Sequence, residues 1–589
     1  MGRLGKCIGM LLAGAMLLPT LPARSQDGAA ARFAEQFGEA FLDHYWALHG
    51  EAAVAAGYYR YATQLPAPDA DYRRRLDAFL RENLAALDAI PAAELGPALR
   101  SDQAVLRNQL RLELWQLHEL RDWQWQPSQY NIADAFALLL DTPYADEDIR
   151  LREVSLRLAQ VPAYYAAAQQ ALQNPSRVHT ELAIQQNQGS LDVFGDGLLA
   201  RVAQSGLDAH EQQLFAQRLR AARGAIEAYV RFLRALQPKL KTGGAAHDFR
   251  IGAALYEQGF AYQVQTGMSP AALHARAEQE WQQVHARMQQ LSAQLWPKYF
   301  PGEAMPQGLK AVARMIARLS EQHAAPAEFY PQIQALIPRL EAWVTQQDLL
   351  TLDPSRPLQI RVMPAYQRGY SMASLAAPGP YDPTARTWYN VAALDDYSPA
   401  QAESFLREYN RWLMQILSIH EAVPGHYVQL IYANKSPSLI KSLFSNNAMV
   451  EGWAVYAERM MLESGWGGGE PEMELMYDKW RLRVIGNTLL DYGVHVQNMS
   501  ETQALRLLRD EAFQDETEAR GKWRRAQILG VQLSFYYAGF SAIYDYREHL
   551  KQELGERFDL KRFHESFLSY GSAPVALITQ LMQPQDAAR

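Results

Sequence analysis

The chain has 589 residues, 48% of them hydrophobic and 21% charged, with a formal net charge of −7. Mixed charge of this kind argues against nucleic acid, whose binders present a basic face. The one cysteine, Cys7, falls in a leader segment. Disulfides, thiolate catalysis and cysteine-held metal are therefore excluded together for the rest of the chain, and any metal has to be held by His, Asp and Glu.

Residues 1–25 read as an export signal. Arg3 and Lys6 give a positive start, residues 7–21 an apolar stretch, and Ala23, Arg24 and Ser25 a small-x-small cleavage site. The apolar run is too short for a membrane span, and no later segment is apolar enough for one. Cys7 follows Lys6 rather than a small residue, which argues against lipid attachment. The expectation is an exported protein, periplasmic or extracellular, cleaved near Ser25.

From residue 30 to about 350 the chain is rich in Ala, Leu, Gln, Glu and Arg. Amphipathic runs at 31–56, 69–90, 98–121, 149–172, 206–236, 270–293 and 308–345 predict helices. Proline and glycine, among them Pro127, Pro175, Gly243-Gly244 and Pro297, mark the breaks. Between 352 and 399 the character changes. Segments 358–363 and 386–391 are rich in β-formers and predict two short strands, with a Gly/Pro/Ala loop at 369–381 between them. Such a pair serves either as a plain cover or as an edge on which an extended peptide pairs. After Pro399 the chain reads as helical again, apart from a loop at 465–469.

The organising stretch is 418–427, which holds His420, Glu421 and His426. Phe405, Tyr409, Trp412, Ile416 and His420 recur at spacings of three and four, one face of a helix. Helical histidines that share a metal usually stand four apart. Here the gap is six, which on an unbroken helix sets the rings about 120° apart. The two surplus residues are Pro424 and Gly425. Proline removes an N–H and forces a kink or bulge, and glycine accepts the backbone angles of a detour. The pair thus predicts a loop-out that returns His426 to His420.

Segment 447–459 carries Glu451 and Glu458, two turns apart on one face. A carboxylate among Met449, Val450 and Trp453 is costly to bury unless it meets a cation or donors. Two histidines and a glutamate, with water in the fourth place, form a recognised catalytic zinc set. His420, His426 and Glu451 are therefore the expected zinc ligands, with Glu421 as general base. Glu458 is expected either to orient a ligand histidine or to pair with an arginine. His118-Glu119, with no histidine following, shows how little an isolated His-Glu pair means.

HExxPGH followed by EGWAxYxE resembles bacterial domain-of-unknown-function family 885, itself similar to gluzincin-type zinc metallopeptidases. Asp491-Tyr-Gly-Val-His495 resembles that family's D-T-G-x-H. Arg525, Gln532, Tyr536 and Gly539 match R-Y-x-x-x-P-G-Q-A-x-x-Y-x-x-G. Two departures stand out: Gly530-Val531 replaces Pro-Gly, and Asn487 stands where an arginine is expected. The likeness runs from about Phe249 to the C-terminus and more weakly upstream. It implies a deep channel suited to short or flexible peptides, with Tyr536 or His495 stabilising an oxyanion. Arg525 would hold a substrate carboxylate, and Arg483 is expected to be structural.

The expected fold is mainly α, a large bilobal helical metallopeptidase-like fold around a cleft with a small β element beside the site. Its expected parts are an N-terminal helical lobe (26–350), a β/loop insertion (351–400) and a C-terminal helical lobe (401–589). The expected function is an exported zinc-dependent metallopeptidase acting on short or flexible peptides as substrate, with no nucleic acid and no partner protein. Carboxypeptidase-like action is one form of it, with Arg525 as the carboxylate anchor that form needs. The alternatives are a zinc amidase on a cell-wall or other non-peptide amide, and a non-catalytic metal-containing binding protein.

Overall fold

A computed structural model describes residues 24–240, 246–363, 373–377, 379–382, 386–392, 394–395 and 397–589. The expected leader up to residue 23, with Cys7, lies outside the described residues, as does the expected break at Gly243-Gly244. Among the described residues the protein is mainly α with one small sheet. No helix among the described residues is long and apolar enough to cross a membrane.

The largest apolar core unites the helices between residues 252 and 346 with those that follow residue 399. A second core lies within residues 54–233. A third joins the first helices to Ile440 and Phe444, so the chain's start rests on its last third. Two of the expected long helices are each split in two. Segment 149–172 becomes Glu147–Leu158 and Val161–Ala171, and 308–345 becomes Leu309–Leu319 and Pro326–Gln346. Pro297, expected as a break, lies within the helix Pro270–Tyr299. Burial of Leu295 and Trp296 beside it holds this last turn, so packing overrides the lost hydrogen bond.

The elements that build the site are labelled here in chain order. Strands β1 (Gln359–Val362), β2 (Ala373–Ala376) and β3 (Trp388–Val391) form one sheet in the order β1-β3-β2. β3 runs parallel to β1 and antiparallel to β2, pairing Gln359 with Trp388 and Ala373 with Val391. β1 and β3 fall where strands were expected, but β2 falls in the expected loop. Its Ala-Ser-Leu-Ala sequence has little β-propensity; it is a strand because the second edge of β3 needs partners for its backbone groups. Buried Asn390 ties the three strands together, accepting from Arg361 Nε at 2.6 Å and donating to Ser374 Oγ at 3.2 Å.

The helices of the site are α1 (Leu413–Glu421), α2 (His426–Asn434), α3 (Asn447–Glu463), α4 (Pro471–His495), α5 (Glu516–Ile528) and α6 (Phe535–Leu554). β2 packs on α1, and α1 on α3 and α4. The stripe from Phe405 to His420 is buried throughout, but it spans two helices. The side chain of Asn410 accepts the N–H groups of Trp412 and Leu413, at 3.2 and 3.4 Å, and restarts the chain there.

α3 and α6 meet backbone to backbone. A Cβ on Gly452 would lie 2.3 Å from the Gly539 carbonyl carbon, and one on Gly539 would lie 1.7 Å from the Ala448 oxygen. Gly539→Ala is therefore expected to cost about 3 kcal/mol or more by overpacking. Gly224→Ala, on an exposed helical turn with open space around it, should gain up to about 1 kcal/mol. Thermal unfolding of the two variants checks this, with midpoints moving in opposite directions.

Candidate metal centre

The motif stretch folds as two helices joined by a tight turn, where the sequence suggested a bulge within one. α1 ends at Glu421 and α2 begins at His426. The Gly425 N–H donates to the Ile419 carbonyl at 3.0 Å, closing the turn back on α1. A Cβ at residue 425 would lie 1.9 Å from the His420 carbonyl oxygen, so glycine is required by close approach. Trp453 of α3 donates its indole N–H to the Pro424 carbonyl at 3.0 Å, pinning the turn from outside. The His420 and His426 rings then stand 4.8 Å apart at 87°.

Glu451 sits opposite both rings. Its Oε2 lies 3.6 Å from His420 Nε2 and 3.4 Å from His426 Nε2. These gaps are long for hydrogen bonds. They match the separation of about 3.3 Å expected between atoms that each lie about 2.0–2.1 Å from one tetrahedral zinc. Glu451 Oε2 is also buried without a hydrogen-bond partner among the described residues. One ligand atom from each of the three residues lies within 4.8 Å of the others. The residues present fit a divalent metal.

Glu458, two turns further along α3, accepts from His420 Nδ1 at 2.7 Å and is almost fully buried. That bond fixes the tautomer and leaves Nε2 with its lone pair towards Glu451 and His426. Burial alone would lower the His420 pKa, but Glu451 and Glu458 push it up to about 10. Burial opposes ionisation of Glu451, yet the two imidazoles hold its carboxyl well below the usual carboxylate range. The pocket stabilises positive charge opposite a carboxylate, the environment a cation needs.

Glu421 is partly exposed at the end of α1 and has no hydrogen bond or ion pair among the described residues. Its charge acts on His420, on Tyr389 of β3 and on Tyr536 of α6. Tyr536 lies three residues before Gly539, on the face that α6 turns to α3, and feels Glu451 as well. Burial, with Glu451 adding to it, pushes its phenol up to about 12, so it stays a donor at neutral pH. Arg525 Nη2 donates to the Tyr536 hydroxyl at 2.9 Å, and its Nε and Nη2 both donate to Gln532 Oε1.

His495 lies elsewhere. It is 2% exposed, and its Nε2 pairs with the Ala526 carbonyl at 2.8 Å. The Ile251 N–H meets its Nδ1 at 3.4 Å. Both ring nitrogens are thus engaged by backbone, and burial lowers its pKa to about 4. It ties the end of α5 to α4 rather than facing the histidine cluster. Arg483 pairs with Glu518 at 2.6 Å. Asn487 is buried with its Oδ1 unpartnered among the described residues.

Sequence reading gave Asp491 no role. It accepts from the Val531 and Ser534 N–H groups, the Ser534 hydroxyl and the Tyr256 hydroxyl, fixing the turn that launches α6. That turn holds Val531 at φ +73°, where the family pattern has glycine. A β-branched residue there is strained by about 1–2 kcal/mol. The signal for Asp491 was its place at the head of Asp491-Tyr-Gly-Val-His495, four residues before the end of α4.

A family model described as "Bacterial protein of unknown function (DUF885)" matches residues 51–582. The chain belongs to the DUF885 family. The match begins far upstream of residue 249, so the helices from residue 51 onward fall within the family match as well. A solved candidate lipoprotein of unknown function from Shewanella oneidensis is 47% identical, with TM-score 0.84 over 92% of this chain and 98% of that one. A candidate lipoprotein from Colwellia psychrerythraea, 18% identical, shares the fold with TM-score 0.75 over 95% of this chain and 98% of its own. No curated protein matches the chain.

Glu458→Gln is expected to weaken zinc binding by about 10–100-fold with the fold intact. Gly425→Ala should lose zinc outright by displacing the turn. Competition with a chromophoric chelator checks both, beside circular dichroism.

Proposed function

We propose that this DUF885 protein is an exported zinc-dependent metallopeptidase for short or flexible peptides. The observation that carries the reading is the convergence of His420, His426 and Glu451 beside Glu421, unpaired among the described residues, and the Tyr536 hydroxyl. A structural zinc site is closed by four protein ligands, whereas three ligands leave the open position of a catalytic one.

Zinc held by these three residues would supply a Lewis acid and lower the pKa of a water molecule. Glu421 takes the proton of the attacking water and passes it to the leaving amine. Tyr536 donates its hydroxyl hydrogen to the oxyanion that develops on the substrate carbonyl. Arg525, whose N–H the Tyr536 oxygen accepts, holds that hydroxyl in place and strengthens it as a donor. Glu458 keeps His420 in one tautomer. Export rests on the leader at residues 1–25 and on the description of the two related structures as candidate lipoproteins.

Glu421→Gln should retain zinc and fold while losing about 10²–10⁴-fold in turnover. Tyr536→Phe should lose about 10²–10³-fold in kcat with little change in zinc content. A peptide library assayed with and without chelator gives the substrate. If Glu421→Gln stays within a few-fold of the parent on that substrate, the base lies elsewhere.

A further inference from the structure

Behind Tyr536 lies a group of buried charges that does not balance. Glu408 pairs with Lys479 at 2.6 Å and stands 3.9 Å from Arg483, which itself pairs with Glu518. Lys522 and Arg525 complete the group, and Glu518, Lys522 and Arg525 share one face of α5. Among the described residues, four basic side chains thus face two carboxylates.

Lys522 is the unusual member. It is 5% exposed yet has no hydrogen bond or ion pair among the described residues. Arg483 and Arg525 both act on it as like charges. Arg483 Nη1 is also buried without a hydrogen-bond partner among the described residues. A buried ammonium beside two guanidinium groups is expensive unless an anion completes the set. Burial, with Arg483 and Arg525 adding to it, holds the Lys522 pKa far below its ordinary value, and Glu518 and Glu408 offset this only in part.

The position of the group identifies that anion. Arg525 touches the Tyr536 hydroxyl, and Tyr536 is within electrostatic reach of Glu451. Lys522 lies one turn back along α5, about 5 Å further. An extended peptide advances about 3.5 Å per residue. A substrate whose carbonyl meets Tyr536 would bring a carboxylate one or two residues downstream to Arg525 and Lys522.

We propose that Lys522 and Arg525, backed by Arg483, form a subsite for the C-terminal carboxylate of the substrate, so that the enzyme releases one or two residues from peptide C-termini. This rests on the peptidase reading of the metal centre. Asn487 stands one turn of α4 beyond Arg483, where the family pattern has arginine.

The test uses full-length zinc-loaded Glu421→Gln protein and calorimetric titration with acetyl-tetra-alanine and its C-terminal amide. The acid should bind at least about tenfold tighter than the amide, as a charge-assisted contact predicts. Lys522→Met and Arg525→Met should abolish that preference, Lys522→Met should leave zinc content and amide binding in place, and Lys522→Arg should keep the preference. Equal binding of acid and amide, a preference that survives Lys522→Met, or no binding of either peptide overturns the subsite. With the unsubstituted protein, chelator-sensitive cleavage of both peptides at equal rates overturns the subsite and leaves the peptidase reading standing. Preferential binding of the acid with no cleavage of either peptide overturns the peptidase reading and leaves the subsite standing.

Discussion

The candidate site depends first on how closely two helix backbones approach each other. Helices usually pack with axes 8–10 Å apart, held off by their side chains. Where Gly452 of α3 faces Gly539 of α6, no side chain intervenes, and a single Cβ on either would collide with backbone. Glu451 precedes one glycine by one residue and Tyr536 precedes the other by three. One contact therefore places the Glu451 carboxylate and the Tyr536 hydroxyl relative to each other. Neither side chain has to be steered by loops, which are the softer part of a fold.

α3 also governs the turn between the two histidines. Counting along EGWAVYAE, Glu451 faces the histidines, Gly452 admits α6, Trp453 holds the Pro424 carbonyl and Glu458 orients His420. Tyr456 pairs with buried His564 at 2.8 Å, fixing the helix to the C-terminal part of the chain. Four side chains and one glycine of a single helix account for most of the motif. Their periodicity was visible as helical spacing, but their division of labour was not.

Buried carboxylates are the cost of this arrangement. Asp491 receives four donors and is still pushed up to about 7 by burial. It fixes the turn before α6, against the strain at Val531. Glu458 is enclosed with one imidazole partner. Buried polar groups of this kind are stable only when satisfied, and they make the geometry unique when they are. The cations behind Tyr536 depart from that pattern, since they outnumber the carboxylates around them.

What the sequence determined by itself was local chemistry. Composition and helical periodicity gave a mainly α chain, and the β-formers at 358–363 and 386–391 gave β1 and β3. His420, Glu421, His426 and Glu451 were singled out by residue type and spacing, because ligand chemistry restricts which side chains serve. Tertiary structure decided everything that needs a partner from far along the chain. β2 is a strand because β3 offers it an edge, and Pro297 stays helical because its neighbours are buried. His495 and Tyr536 were equal candidates for one role, since each is a polar group in an apolar helix. They separate only when His495 is seen spending both nitrogens on the backbone of distant segments while Tyr536 faces Glu451. The imbalance around Lys522 was likewise hidden, because in sequence each charge stands alone, and only packing brings four cations and two carboxylates out of water together.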